Sequence, residues 1–220
     1  MFSFHRSLAS LFAFSIFTSL VAKEPITLSE VIPKNSLRQG HFWTPDEANL
    51  EMKALAKTWD DRASWERRAS SIREGILKGL HWDRMPKIEG DFRPIIHSRK
   101  KMDGYFVENI AIQSFPGFYI TGNLYLPAEP KKRNPAILNP HGHASDKRVM
   151  EDVQKRCAVF ARMGAIAFAY DMVGYAESTQ VNHKMPIAAL LQAWNSTRVL
   201  EYLLSRPDVD SERIGMTGGS

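Results

Sequence analysis

The apolar residues change rhythm along the chain, and each rhythm marks a different kind of element. Leu50, Ala54 and Leu55 form a short stripe behind Thr44-Pro45-Asp46-Glu47. Thr44 can cap a helix there, Pro45 suits its first turn and Glu47 completes a capping box. Trp65, Ala69, Ile72, Ile76 and Leu80 then recur at spacings of three and four, which predicts a second helix over 61–78. The two helices are expected to form an N-terminal segment over 44–90 that packs against the main domain. A lid over a substrate site is the alternative.

After residue 90 the period shortens. Stretches 94–97, 104–113 and 117–126 are rich in β-branched and aromatic residues. The second and third predict a hairpin turning at Phe115-Pro116-Gly117. Two apolar runs without alternation, 135–139 and 165–170, suit strands buried on both faces. Helical patterns lie between and after them, over 149–163 (Val153, Cys157, Phe160) and 186–204 (Leu190, Trp194, Val199, Leu203). One more strand is predicted over 213–217. A hairpin followed by alternating strand and helix implies a mixed, mostly parallel sheet covered by helices on both faces, an α/β fold spanning 91–220.

Composition adds little to the fold and more to the setting. The chain has 220 residues, 44% hydrophobic and 24% charged, enough for one substantial core. Arg6, an apolar run over 8–21 and Ala22 before Lys23-Glu24-Pro25 read as a signal peptide over 1–22, implying a secreted or periplasmic protein. The run is short of the roughly 20 apolar residues a bilayer span needs, so no stable membrane anchor is expected. Residues 23–43, with Pro and Gly and no period, read as a linker or extended arm. The one cysteine, Cys157, sits in a helical stripe and is expected to be a buried apolar residue rather than a nucleophile. The net charge of +5 is scattered among acids and shows no basic stripe interleaved with aromatics, so no nucleic-acid partner is expected.

The chemistry concentrates in Ile214-Gly215-Met216-Thr217-Gly218-Gly219-Ser220. A serine reached directly from a buried strand, with Gly218 and Gly219 before it, matches the first half of a G-x-S-x-G nucleophile elbow. Its sharp strand-to-helix turn leaves no room for bulky neighbours. A phosphate-binding loop would instead need Gly-Lys-Ser/Thr, which is absent. Asn139-Pro140-His141-Gly142-His143 follows an earlier strand and suits an oxyanion-hole loop, in which Gly142 gives the freedom to aim the backbone N–H of His143. His141 and His143 as an H-x-H pair lack a nearby third ligand, so no metal is assigned. Asp171, before Gly174-Tyr175-Ala176-Glu177-Ser178, precedes the serine in the chain. In this fold the triad runs Ser, acid, His, so Asp171 is assigned a structural role in its turn. His183 either borders the pocket or lies on the surface.

Together Pro140-His141-Gly142-His143, Tyr170-Asp171 with Gly174 to Ser178, and Arg206-Pro207-Asp208-Val209-Asp210 leading to Ser220 resemble the secreted acetyl xylan esterase and dienelactone-hydrolase-like branch of the α/β-hydrolase superfamily. The resemblance implies an α/β-hydrolase fold interrupted here after the nucleophile strand. It makes Ser220 the nucleophile and the His143 N–H an oxyanion donor, with the acid and catalytic histidine beyond residue 220. It also implies acyl transfer without a cofactor, on an ester substrate such as an acetylated polysaccharide, and an N-terminal piece inactive by itself. Ala176 departs from the glycine found in many relatives. A peptidase of the prolyl-oligopeptidase type and a non-catalytic binding protein on a hydrolase scaffold remain the competing functions.

Overall fold

The computed structural model describes residues 43–143 and 146–219, and the chain divides after Asp60 into two compact units. In the first, helix α1 (Pro45–Ala56) begins with the expected capping box. The Glu47 N–H donates to Thr44 Oγ1 at 3.3 Å and the Thr44 N–H donates to Glu47 Oε2 at 2.8 Å. The segments read as a signal peptide and, for all but its last residue, as a linker lie outside the described residues.

The second unit opens with α2 (Arg62–Gly79), whose capping box, Asp61 with Ser64, was not read from the sequence. No residue of α2 is buried, and Trp65, Ile72 and Ile76 stay exposed. Local terms support it, namely the cap and an Arg62–Glu66 ion pair of 2.7 Å one turn apart.

The sheet that follows has six strands: β1 (Ile95–Met102), β2 (Tyr105–Phe115), β3 (Phe118–Pro127), β4 (Asn134–Pro140), β5 (Ile166–Tyr170) and β6 (Val209–Met216), in the order β1-β2-β3-β5-β4-β6. β1, β2, β3 and β5 pair antiparallel in succession, whereas β5, β4 and β6 are mutually parallel neighbours. The expected hairpin is β2–β3. β1 adds a second one, closing at Asp103-Gly104 with Met102 opposite Tyr105. β1 is exposed along its length and carries Arg99, Lys100 and Lys101, charges that keep an edge strand from pairing further.

Helices α3 (Glu151–Arg162) and α4 (Ala188–Ser205) cover the two faces, and the alternation of β5 shows how. Ile166, Phe168 and Tyr170 point into a cluster with Val199, Tyr202 and Leu203 of α4. Ala167 and Ala169 point the other way, toward Val153, Cys157 and Ala161 of α3. Small side chains on that face let α3 lie close. Phe168 is fully buried, a contribution of about 1.5–3 kcal/mol. Gly122 on β3 makes room for it, since a Cβ there would come within 2.5 Å of the ring.

This order places β5 on one side of β4 and β6 on the other, so the connections that follow the three parallel strands leave the same sheet edge and diverge. Such a switch point, at the carboxyl ends of the strands, is where open α/β sheets form crevices for ligands.

Candidate active site

Three chain segments meet at that edge. Thr217, after β6, donates its N–H to the Leu138 carbonyl of β4 at 2.9 Å, which extends the parallel pairing one residue beyond the strand. Gly218 then passes so close to β4 that a Cβ would collide with the carbonyl oxygen of Pro140. Gly219 has open space around it. Ser220 lies outside the described residues.

The β4 segment continues into His141-Gly142-His143. His141 is buried, with its Nδ1 2.7 Å from the Gly142 carbonyl, while its Nε2 receives the Met172 N–H at 3.1 Å. A carbonyl only accepts and an amide N–H only donates. The imidazole is therefore the neutral tautomer with its proton on Nδ1. Burial pulls its pKa below the ordinary histidine value, against the raising influence of Gly142 and of Asp171. Both ring nitrogens are committed, and they tie the end of β4 to the end of β5. Among the described residues no acceptor takes the backbone N–H of His143.

Asp171 begins the third segment. Its Oδ2 accepts from the Arg148 guanidinium, from Thr121 Oγ1 at 2.7 Å and from the Glu177 N–H at 3.4 Å. Arg148 was not singled out from the sequence, yet it organises this side of the site. It is buried, and its Nε donates to Asn123 Oδ1 at 2.8 Å while Nη2 donates to Glu177 Oε2 at 2.7 Å. Burial works against its charge, but the hydrogen bonds and charges of Asp171 and Glu177 outweigh burial and hold its pKa above the ordinary value. The one available signal was an arginine shortly after the His-Gly-His loop. Nothing local identifies a partner 23 positions away.

The turn after Asp171 is closed by Gly174 N–H to Ser178 carbonyl at 2.7 Å and Ser178 N–H to Tyr175 carbonyl at 2.8 Å. Ala176 within it adopts φ +47°, a conformation that favours glycine. His183 comes back onto this turn. Its ring meets His143 with the two Nε2 atoms 2.9 Å apart, and its Nδ1 lies 3.0 Å from the Val173 carbonyl. Tyr175 stands edge-on to both rings.

Behind these segments lies a cavity of about 120 Å³ lined by Pro140, His141, Asp171, Met172, Gln192 and Asn195, among others. Asp171 Oδ1, Gln192 Oε1 and Asn195 Nδ2 are buried without a hydrogen-bond partner among the described residues. Polar atoms of that kind suit an oxygen-bearing ligand or solvent. Cys157 is far simpler: it is buried among apolar residues of α3 and β5, and burial pushes its thiol up to about 12. Among the described residues no group of three or more His, Cys, Asp or Glu gathers as for a metal ion, and no helix is long and apolar enough to cross a membrane.

A sheet in this order, with its crevice between a glycine-bounded strand end and a His-Gly-His loop, defines an α/β-hydrolase fold. Solved structures agree. Methylesterase BT1017 matches with a TM-score of 0.73 and 35% identity over 80% of this chain and 41% of its own. A protein assigned as an acetyl xylan esterase from Bacteroides fragilis matches with a TM-score of 0.60 and 17% identity, over 84% of this chain and 57% of its own. The second likeness speaks for the fold alone, and the first is also a likeness in sequence to a methylesterase. The chain thus spans 41% and 57% of the lengths of these two proteins. No family model and no curated protein matches the sequence.

Proposed function

We propose that this chain carries the nucleophile-bearing part of a secreted serine esterase that removes small ester groups from carbohydrate. The observation that carries the reading is the seat of Gly218 against the Pro140 carbonyl, beside the loop whose His143 N–H meets no acceptor among the described residues. Residue 220 follows two positions later in the sequence, and in a nucleophile elbow the serine hydroxyl and an oxyanion donor share one carbonyl. In this reading Ser220 attacks the ester carbonyl, the His143 N–H holds the oxyanion, and water releases the acyl-enzyme. His141 is not the base, because its Nε2 lone pair already accepts from Met172. The general base is assigned to a histidine outside the described residues.

The 35% identity to a methylesterase, beside the motif likeness to acetyl xylan esterases, makes methyl and acetyl esters the substrates to try. The natural full-length protein and its Ser220→Ala variant are assayed on p-nitrophenyl acetate, acetylated xylan, a methyl-esterified polyuronate and a prolyl peptide. Ester cleavage that disappears in the variant is the expected result. Peptide cleavage alone transfers the reading to a peptidase. A folded protein with no turnover on any of them removes the serine-esterase reading.

A further inference from the structure

We propose that His143 and His183 form a binding site for a single divalent transition-metal ion, of the zinc, nickel or copper class, at the rim of the candidate active site. The two imidazoles come from different connections, one after β4 and one after β5, and meet with Nε2 to Nε2 at 2.9 Å. That separation suits metal ligation. Two nitrogens at ~2.05 Å from one ion lie about 2.9 Å apart at a right-angle N–metal–N geometry and about 3.3 Å apart at a tetrahedral one.

The second observation is the setting of His183. Its Nδ1 donates to the Val173 carbonyl at 3.0 Å, which leaves the lone pair on Nε2, facing His143. A ring N–H anchored on a backbone carbonyl, with the other nitrogen free to bind, is the usual outer support of a metal-ligating histidine. The backbone of His183 is held as well, because it lies so close to Gly174 that a Cβ on residue 174 would collide with its nitrogen. Tyr175 props both rings, with centroids 5.7 Å from His143 and 4.7 Å from His183.

In the unliganded pair His143 Nε2–H donates to His183 Nε2. On binding, the His143 proton moves from Nε2 to Nδ1 and the exposed ring turns slightly, so both Nε2 lone pairs reach the ion and no proton is lost from the pair. Water fills the remaining positions. His141 is not a third ligand, since both its nitrogens are engaged. The Lys147 ammonium, 5.8 Å from the Tyr175 ring centroid, opposes a dication and argues for moderate affinity. Imidazole nitrogen selects these ions over magnesium or calcium, which take oxygen ligands. The inference stands whether or not the protein cleaves esters.

The test titrates the full chain with zinc and copper by calorimetry, and records the copper(II) electron paramagnetic resonance spectrum. The wild type is expected to bind one ion with half-saturation below about 1 mM, and its copper spectrum to show two nitrogen donors. His143→Ala and His183→Ala should each weaken binding at least about tenfold, which is 1.4 kcal/mol, and leave one donor. His143→Gln retains an amide that can donate to His183, so it guards against a merely folding-related loss: it should keep the thermal midpoint and lose the ion. Absence of binding up to that concentration overturns the proposal. So does binding that is unchanged in the folded variants, which would place the ion elsewhere, as at His81 or His97.

Discussion

Gly218 lies against Pro140 so closely that its α-carbon has no space for a methyl group on the side of the Pro140 carbonyl. The obstacle is backbone at the end of β4, paired there with Tyr170 of β5, which cannot swing aside as a flexible side chain would. Gly218→Ala is therefore expected to push β6 from β4 or to twist the turn that leads to Ser220. A shift near 1 Å at a catalytic serine lowers turnover by about 10²-fold. Overpacking of this kind costs about 1–3 kcal/mol. Ester hydrolysis and urea unfolding of the full-length protein measure the two effects, and a variant with wild-type values of both would show that the seat is not tight.

Arg148 and Asp171 form a buried ion pair that joins β3, the turn after β5 and the segment before α3. Removing one member leaves the other charged and unpaired. Arg148→Met is expected to cost about 3–5 kcal/mol in chemical unfolding. Adding Asp171→Asn should restore part of this loss, because the stranded carboxylate is gone. Lysine at 148 should not rescue, as one ammonium cannot reach Asn123, Asp171 and Glu177 at once. Equal losses in the single and double variants would contradict the pairing.

His141 makes stability depend on pH with a definite sign. Burial holds the folded imidazole below the ordinary value of 6.5 at which the unfolded chain titrates. Between those two values the unfolded chain binds more protons than the fold. The contribution is thus complete above about pH 6.5 and is lost as pH falls toward the lowered folded value. Asp171 raises the imidazole's pKa while Arg148 and Lys147 lower it, so they set where the loss ends. Unfolding free energies at about pH 7.5 and pH 5.5 should differ less in His141→Gln than in wild type. Parallel slopes would exclude a buried neutral histidine.

Ala176 holds φ +47° in the turn beside this histidine. An L-residue pays about 1–2 kcal/mol for that conformation, and glycine avoids it at an entropic cost of about 0.5–1 kcal/mol. Ala176→Gly should raise stability by up to about 1 kcal/mol, read as a higher thermal midpoint.

Cys157 should ignore thiol reagents in the native state. It is fully buried, and its thiol is held neutral up to about 12. Reaction with a chromogenic disulfide is expected to follow the rate of unfolding and to accelerate with denaturant. Prompt labelling of native protein would show that the Cys157 face of α3 is not packed against the sheet.

Much of the framework was legible in the sequence because it rests on local physics. The Thr44–Glu47 capping box, the apolar runs of β4 and β5, the stripes of α3 and α4 and the burial of Cys157 all follow from spacing and hydrophobicity within a few residues. Crowding was expected at both glycines before Ser220, but the described residues crowd only Gly218, against Pro140, while Gly219 has open space around it. Element ends were less so: β6 begins at Val209 rather than at 213, because Val209 already pairs with Asn134, while Asp210, Ser211 and Glu212 interrupt the apolar run where the β4–β6 register shifts.

The tertiary structure decided what long-range contacts decide. No periodicity says that β5 inserts between β3 and β4, which is what brings Asp171 to Thr121, 50 positions earlier in the chain. A charged residue is expected at the surface, so Arg148 becomes recognisable only when its three acceptors arrive from separate strands and turns. The stripe of α2 was legible as a helix, whereas how far it is buried depends on the surface presented to it, and among the described residues none of it is buried. His143 and His183 stand 40 positions apart and share no motif. Their meeting, like the pinning of His141 between Gly142 and Met172, follows from parallel strands that end at one edge.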